Sequence, residues 1–134
     1  MLKPMSSNLI EAANRAEATS LLIRLRYKVY RPEADDDGED LVVRLPDGQL
    51  VPVQLKARLH VEHHRYGSKG IWMLFPDSPW NSNMRRNWYL VPHDHLLAIM
   101  QARHGHAKSF AELKWTTSSP AKAVAALLAE FRLA

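Results

Sequence analysis

Three polar side chains fall where they can act together: Asp40, Gln54 and Lys56. They lie at the ends of two strand-like runs around a turn. Residues 40–45 alternate polar and apolar at the start. Residues 50–59 alternate more clearly, with Val51, Val53, Leu55, Ala57 and Leu59 on one face and Gln54, Lys56 and Arg58 on the other. The turn between them, Leu45-Pro46-Asp47-Gly48-Gln49, has Pro where a type I turn wants a preset φ. Gly48 can take a positive φ and close a three-residue loop with a G1 bulge. Leu45 then faces Gln49, and Asp40 faces Gln54. A two-residue Asp-Gly loop would pair Asp40 with Leu55 and turn it to the other face. Pro46 favours the first register. A carboxylate, an amide and an ammonium then share one sheet face beside an acidic loop.

The positioning elements follow from periodicity. Ser6 or Ser7 can cap a helix running to about residue 26. Its apolar face groups Leu9, Ile10, Ala13, Ala16, Ser20 and Leu21, with Glu17 in the middle; Glu11, Arg15, Thr19, Leu22 and Arg26 mark the opposite face. An inward carboxylate needs a partner, a proton or a metal. For Glu17 a salt bridge to an arginine and a place in a metal site are both open readings. Residues 27–31 read as a first strand ended by Pro32.

Glu17, Asp40 and the run Gln54-Leu55-Lys56 together resemble the PD-(D/E)XK nuclease superfamily, in which an Asp opens one strand, Glu-x-Lys or Gln-x-Lys follows on the next, and a Glu comes from the first helix. The Gln form is similar to certain methyl-directed restriction enzymes and a group I intron homing endonuclease. The resemblance spans roughly residues 6–60, with a weaker echo in Asn87-Trp88-Tyr89-Leu90-Val91-Pro92 as a later core strand. It implies an α/β fold, a restriction-endonuclease-like mixed sheet flanked by helices. It implies a metal-dependent endonuclease with Mg²⁺ or Mn²⁺ as cofactor and DNA as partner. Asp40, Gln54, the Leu55 carbonyl and Glu17 would hold the metal, and Lys56 would orient water or stabilise phosphoryl charge. A catalytically silent nuclease-like domain that binds nucleic acid or a protein is the alternative, because Gln54 brings no charge. Cutting both strands of a duplex needs two sites or one used twice, so a homodimer is expected.

The charge distribution leaves two readings open. One is a basic body with an acidic knot, which suits a polyanion beside a cation; the other is a solvated acidic loop on a mildly basic protein. Charge alone favours the second. The net charge is +4, from 18 basic and 14 acidic residues. Six of those acids lie within residues 33–40, leaving 8 elsewhere against all 18 bases. Arg58, Lys69, Arg85 and Arg86 are the expected nucleic-acid contacts, with Trp80 and Trp88 available for stacking or for the core. Glu33 and Asp37 are reserve candidates for metal contact. A calcium-loop reading of that segment fails because Arg44 stands at the final bidentate position. The seven histidines lack metal-site spacing, and with no cysteine zinc is not expected.

At 134 residues the chain reads as one domain, 1–134. No apolar run is long enough to span a bilayer and no signal core opens the chain, so a cytoplasmic protein without membrane association is expected. Beyond Lys56 the alternation is read as continuing through Arg58, His60, Glu62, His64 and Tyr66, a wall returning through a strand at 71–75. No crossover helix is evident between residues 59 and 87. Helices are expected from His93 or Asp94 to about Arg103 and after Pro120, the last with an apolar stripe of Val124, Leu127, Leu128 and Phe131 that suits either a dimer interface or the core.

Overall fold

The computed structural model describes residues 3–34, 38–80 and 85–134. The reserve candidate Asp37 lies outside the described residues, and Glu33 is exposed.

Helix α1, Ser7–Arg24, starts where Ser6 Oγ accepts the Leu9 N–H at 3.2 Å. Its phase differs from the expected one. The buried face is Asn14, Ala18 and Leu22, while Leu9 is 58% exposed. Alanines on several sides blunt the apolar stripe, so the helix's own pattern decides little. What decides is the fit of Ala18 and Leu22 onto Leu41, Val43, Val51 and Val53 of the sheet. Burying Leu22 alone stabilises by about 2 kcal/mol.

The remaining strands are β1 Lys28–Tyr30, β2 Leu41–Arg44, β3 Leu50–Leu55, β4 Leu59–Glu62, β5 Trp72–Pro76, β6 Trp88–Pro92 and β7 Lys114–Thr117. Five of them form a mixed sheet in the order β1-β2-β3-β5-β6. Only the β3–β5 pair is parallel. Strands β4 and β7 make a separate antiparallel pair. Helix α1 covers one face of the large sheet. The other face packs through Met73, Phe75, Tyr89 and Val91 on Leu96, Leu97 and Met100 of a further helix, His93–His104. This is the expected mixed α/β sheet flanked by helices. Among the described residues no helix is long and apolar enough to cross a membrane.

The β2–β3 turn is the three-residue loop. Leu45 N donates to Gln49 O at 2.8 Å, Gly48 N donates to Leu45 O at 2.9 Å, and Gly48 has φ +92°. Arg44 pairs with Leu50 and Leu41 with Val53, so the register runs on to Asp40 beside Gln54. Pro52 is tolerated inside a central strand because pairing with β5 begins only at Val53.

The chain after Lys56 departs from expectation. The alternation does not continue as one wall. It breaks at residues 56–58, and β4 leaves for the second sheet, where Leu59 and Val61 enter the far-face core. His60 and Glu62 bond each other at 3.0 Å, and residues His63–Tyr66 are a helical turn that buries Tyr66. Strand β5 then pairs with β3, not with β4. That excursion is the crossover a parallel pair requires, made without a long helix. The stripe after Pro120 belongs to the core: Val124 and Leu128 are buried and Leu127 is exposed.

Replacing Gly48 by Val should destabilise the fold by about 1–3 kcal/mol through backbone strain alone, since nothing lies within 4 Å of a Cβ there. Urea unfolding of the variant measures it.

Candidate active site

At the open end of the β2–β3 pair Asp40 replaces a backbone link with its side chain. Its N–H donates to Val53 O at 2.9 Å, and its Oδ1 accepts the Leu55 N–H at 3.0 Å. The carboxylate is thereby fixed beside Gln54 and Leu55. Lys56 follows, its N–H held by Leu74 O at 2.9 Å and its ammonium 5.5 Å from the centre of the Tyr66 ring. Asp40, Gln54, Leu55, Lys56 and Arg58 line one cavity of about 480 Å³. The first half of α1 supplies the opposite wall with Glu11 and Asn14.

Burial raises the Asp40 carboxyl above its ordinary range. The Leu55 N–H and the nearby Arg15 charge act against that shift, and the Glu11 charge reinforces it. Glu11 is ion-paired with Arg15 at 3.3 Å, and a half-buried carboxylate sharing a cavity with a second carboxylate is a place where a cation is favourable. The donors at hand are all oxygens, which suits Mg²⁺ or Mn²⁺. They are the Asp40 and Glu11 carboxylates, the Leu55 carbonyl and the Gln54 amide. Gln54 Nε2 lies 3.3 Å from Leu55 O, so turning the amide over sets Oε1 beside that carbonyl. Among the described residues no three His, Asp or Glu side chains cluster as a metal site on their own. A cation here would therefore have to draw on the amide and the carbonyl as well.

Glu17 is not at this cavity, which corrects its expected place among the ligands. It accepts from Arg86 Nε at 3.1 Å, from Arg86 Nη2 at 3.3 Å and from Trp88 Nε1 at 2.6 Å. The salt-bridge reading of Glu17 is the one the fold adopts. Arg86 changes role with it. Its side chain is 1% exposed, it also donates to Ser78 O at 2.9 Å and to Asn14 Oδ1, and it lies 5.4 Å and 5.3 Å from the Trp80 and Trp88 ring centres. A guanidinium so enclosed cannot reach a phosphate. Trp88 is fully buried core. Of the other expected contacts, exposed Arg58 lines the Asp40 cavity, Lys69 lies beside Glu39 and Pro52, and Arg85 lies in a separate cleft with Glu17 and Arg24.

Glu11 and Asn14 escape a reading of the sequence for one reason, the helix phase. At 100° per residue Glu11 lies within about 20° of both Ala18 and Leu22. Taking Leu22 as the inward residue turns Glu11 toward the site and moves Glu17 to the flank.

No protein-family model matches the chain, and no curated protein matches it. Solved structures do. The fold is similar to that of I-Ssp6803I, a bacterial homing endonuclease. The match covers 89% of this chain and 80% of I-Ssp6803I, with a TM-score of 0.55 and 17% identity. At that identity the likeness to I-Ssp6803I is one of fold.

Removing Glu17 tests its reassignment. Glu17→Ala leaves a buried guanidinium without its counter-charge and should destabilise by about 3–5 kcal/mol. Glu17→Gln keeps an acceptor and should lose less. Thermal and urea unfolding give both values, and unchanged stability in Glu17→Ala would contradict the pairing.

Proposed function

We propose that the chain is a metal-dependent DNA endonuclease that hydrolyses phosphodiester bonds, of the PD-(D/E)XK type in its Gln-x-Lys form. The observation that carries this reading is the convergence of Asp40, Gln54, Leu55 and Lys56 on one cavity with Glu11 opposite. Similarity of fold to a homing endonuclease supports it. Mg²⁺ or Mn²⁺, held by Asp40, the Leu55 carbonyl, the Gln54 amide oxygen and Glu11, would supply the positive charge that neutralises the phosphate and acidifies the attacking water.

The chain's own groups do the rest. Asp40 is held ready by the Leu55 N–H and stays acceptor-only while ionised. Lys56 places an ammonium where negative charge builds on the phosphoryl oxygens during attack. Arg58, on the cavity rim, and the exposed Lys69 and Arg85 attract the DNA backbone without reading sequence. The neutral Gln54 favours a second reading, a nuclease-like domain that binds without cutting.

Nicking of supercoiled plasmid in Mn²⁺, abolished by chelator, separates the two. Lys56→Ala should abolish nicking with stability unchanged within about 0.5 kcal/mol. Gln54→Glu should tighten Mn²⁺ binding in a calorimetric titration, and Asp40→Asn should lose it. Burial raises the Asp40 pKa, so Mn²⁺ affinity should fall on acidification at a pH above the ordinary Asp range, as the carboxylate takes its proton. Wild-type nicking by Lys56→Ala would defeat the assignment.

A further inference from the structure

Among the described residues no carboxylate pairs with the Lys56 ammonium. The Lys56 N–H is fixed on Leu74 O, but a flexible four-carbon stem is not placed by its backbone alone. The group that lies against the ammonium is the Tyr66 ring, with Nζ over it and 5.5 Å from its centre. That is within the distance at which a cation is drawn to the negative face of an aromatic ring.

Tyr66 is itself held firmly. It is 1% exposed and belongs to the far-face core. His60 and His93 meet it in edge-on geometry, at 6.3 Å and 5.7 Å between ring centres. Burial lowers the pKa of both histidines, so neither is a competing cation at neutral pH. Gly38, two residues before Asp40, runs so close that a Cβ there would lie 3.5 Å from Tyr66 Cδ1. The Tyr66 hydroxyl is buried without a partner among the described residues, so what this residue offers the site is its ring. The exposed Arg65 guanidinium also lies near the ring, at 5.2 Å. Lys56, unlike Arg65, lines the cavity with Asp40 and Arg58. We infer that Tyr66 is a positioning residue of this site, its ring holding the Lys56 ammonium where a phosphodiester enters. The inference rests on the endonuclease reading and adds a residue that the Gln-x-Lys motif does not contain.

The contact is read first in metal-free protein with lysine labelled with ¹³C at Cε. The Lys56 signal is identified by its disappearance in Lys56→Ala. Its ε protons should lie upfield of those of the other lysines, as protons above a ring face do, and should return to the common position in Tyr66→Leu. An unshifted Lys56 signal in the wild type overturns the inference. The role is read by changing the ring's charge at constant shape. Tyr66→Phe is the reference, and phenylalanines bearing one, two or three ring fluorines are placed at the same position, each fluorine weakening the negative face. Plasmid nicking in Mn²⁺ should fall stepwise along the series, by about tenfold in all, with the melting temperature unchanged. A structural role alone gives no such slope. The same series in Arg65→Ala should keep the slope; a slope that vanishes there assigns the effect to Arg65 and overturns the inference. Nicking with no slope at all removes the positioning role and leaves the endonuclease reading standing. An upfield Lys56 signal that is lost in Tyr66→Leu, with no nicking by the wild type, upholds the hold of Tyr66 on Lys56 and removes the endonuclease reading.

Discussion

The buried guanidinium of Arg86 is the constraint on which the arrangement depends. A charge with 1% of its side chain exposed persists only if its donors are matched. Here they are matched by two oxygens of Glu17, the Asn14 amide oxygen and the Ser78 carbonyl, with Trp80 and Trp88 nearby. Two of those partners come from α1, and Arg86 itself lies two residues before β6. The pair therefore ties the helix to the sheet at a set rotation. Leu22 and Ala18 set the same rotation from the apolar side. Once it is set, Glu11 and Asn14 have to stand over the end of β2 and β3.

The two acidic residues of α1 thus divide the work. Glu17 compensates a buried cation of the core, while Glu11, paired with Arg15 at 3.3 Å on the exposed side of the helix, lines the Asp40 cavity. Burial is the main cause of the raised Asp40 carboxyl, and the Glu11 charge adds to it while the Arg15 charge opposes it. Bringing carboxylates together under partial burial opposes ionisation, a strain that a bound cation would relieve. The Leu55 N–H on Asp40 limits the strain by favouring the ionised form.

Much of this was legible in the sequence. Pro46-Asp47-Gly48 dictated the loop, the loop dictated the register, and the register placed Asp40, Gln54 and Lys56 together, because strand geometry has period two and a turn fixes its phase. The α1 phase was not legible, since alanine contributes to a stripe on any side and the deciding residue, Leu22, is read correctly only against a sheet surface. Glu17 and Arg86 are 69 positions apart, so no local pattern links them. The course after Lys56 was misread for a related reason. His60 and Glu62 alternate as a half-exposed strand does, and only the pairing of β4 with β7, another distant segment, shows which sheet receives it.

The proposed cation site lies between Asp40 and Glu11 and not at Glu17, and paramagnetic broadening by Mn²⁺ tests that placement most directly. With ¹⁵N-labelled protein and substoichiometric Mn²⁺, the amide signals of Glu11, Asp40, Gln54, Leu55 and Lys56 should broaden first. Those of Glu17, Ser78 and Arg86 should persist to higher Mn²⁺. Broadening centred on Glu17 and Arg86, or spread evenly over the surface acids, would contradict the account.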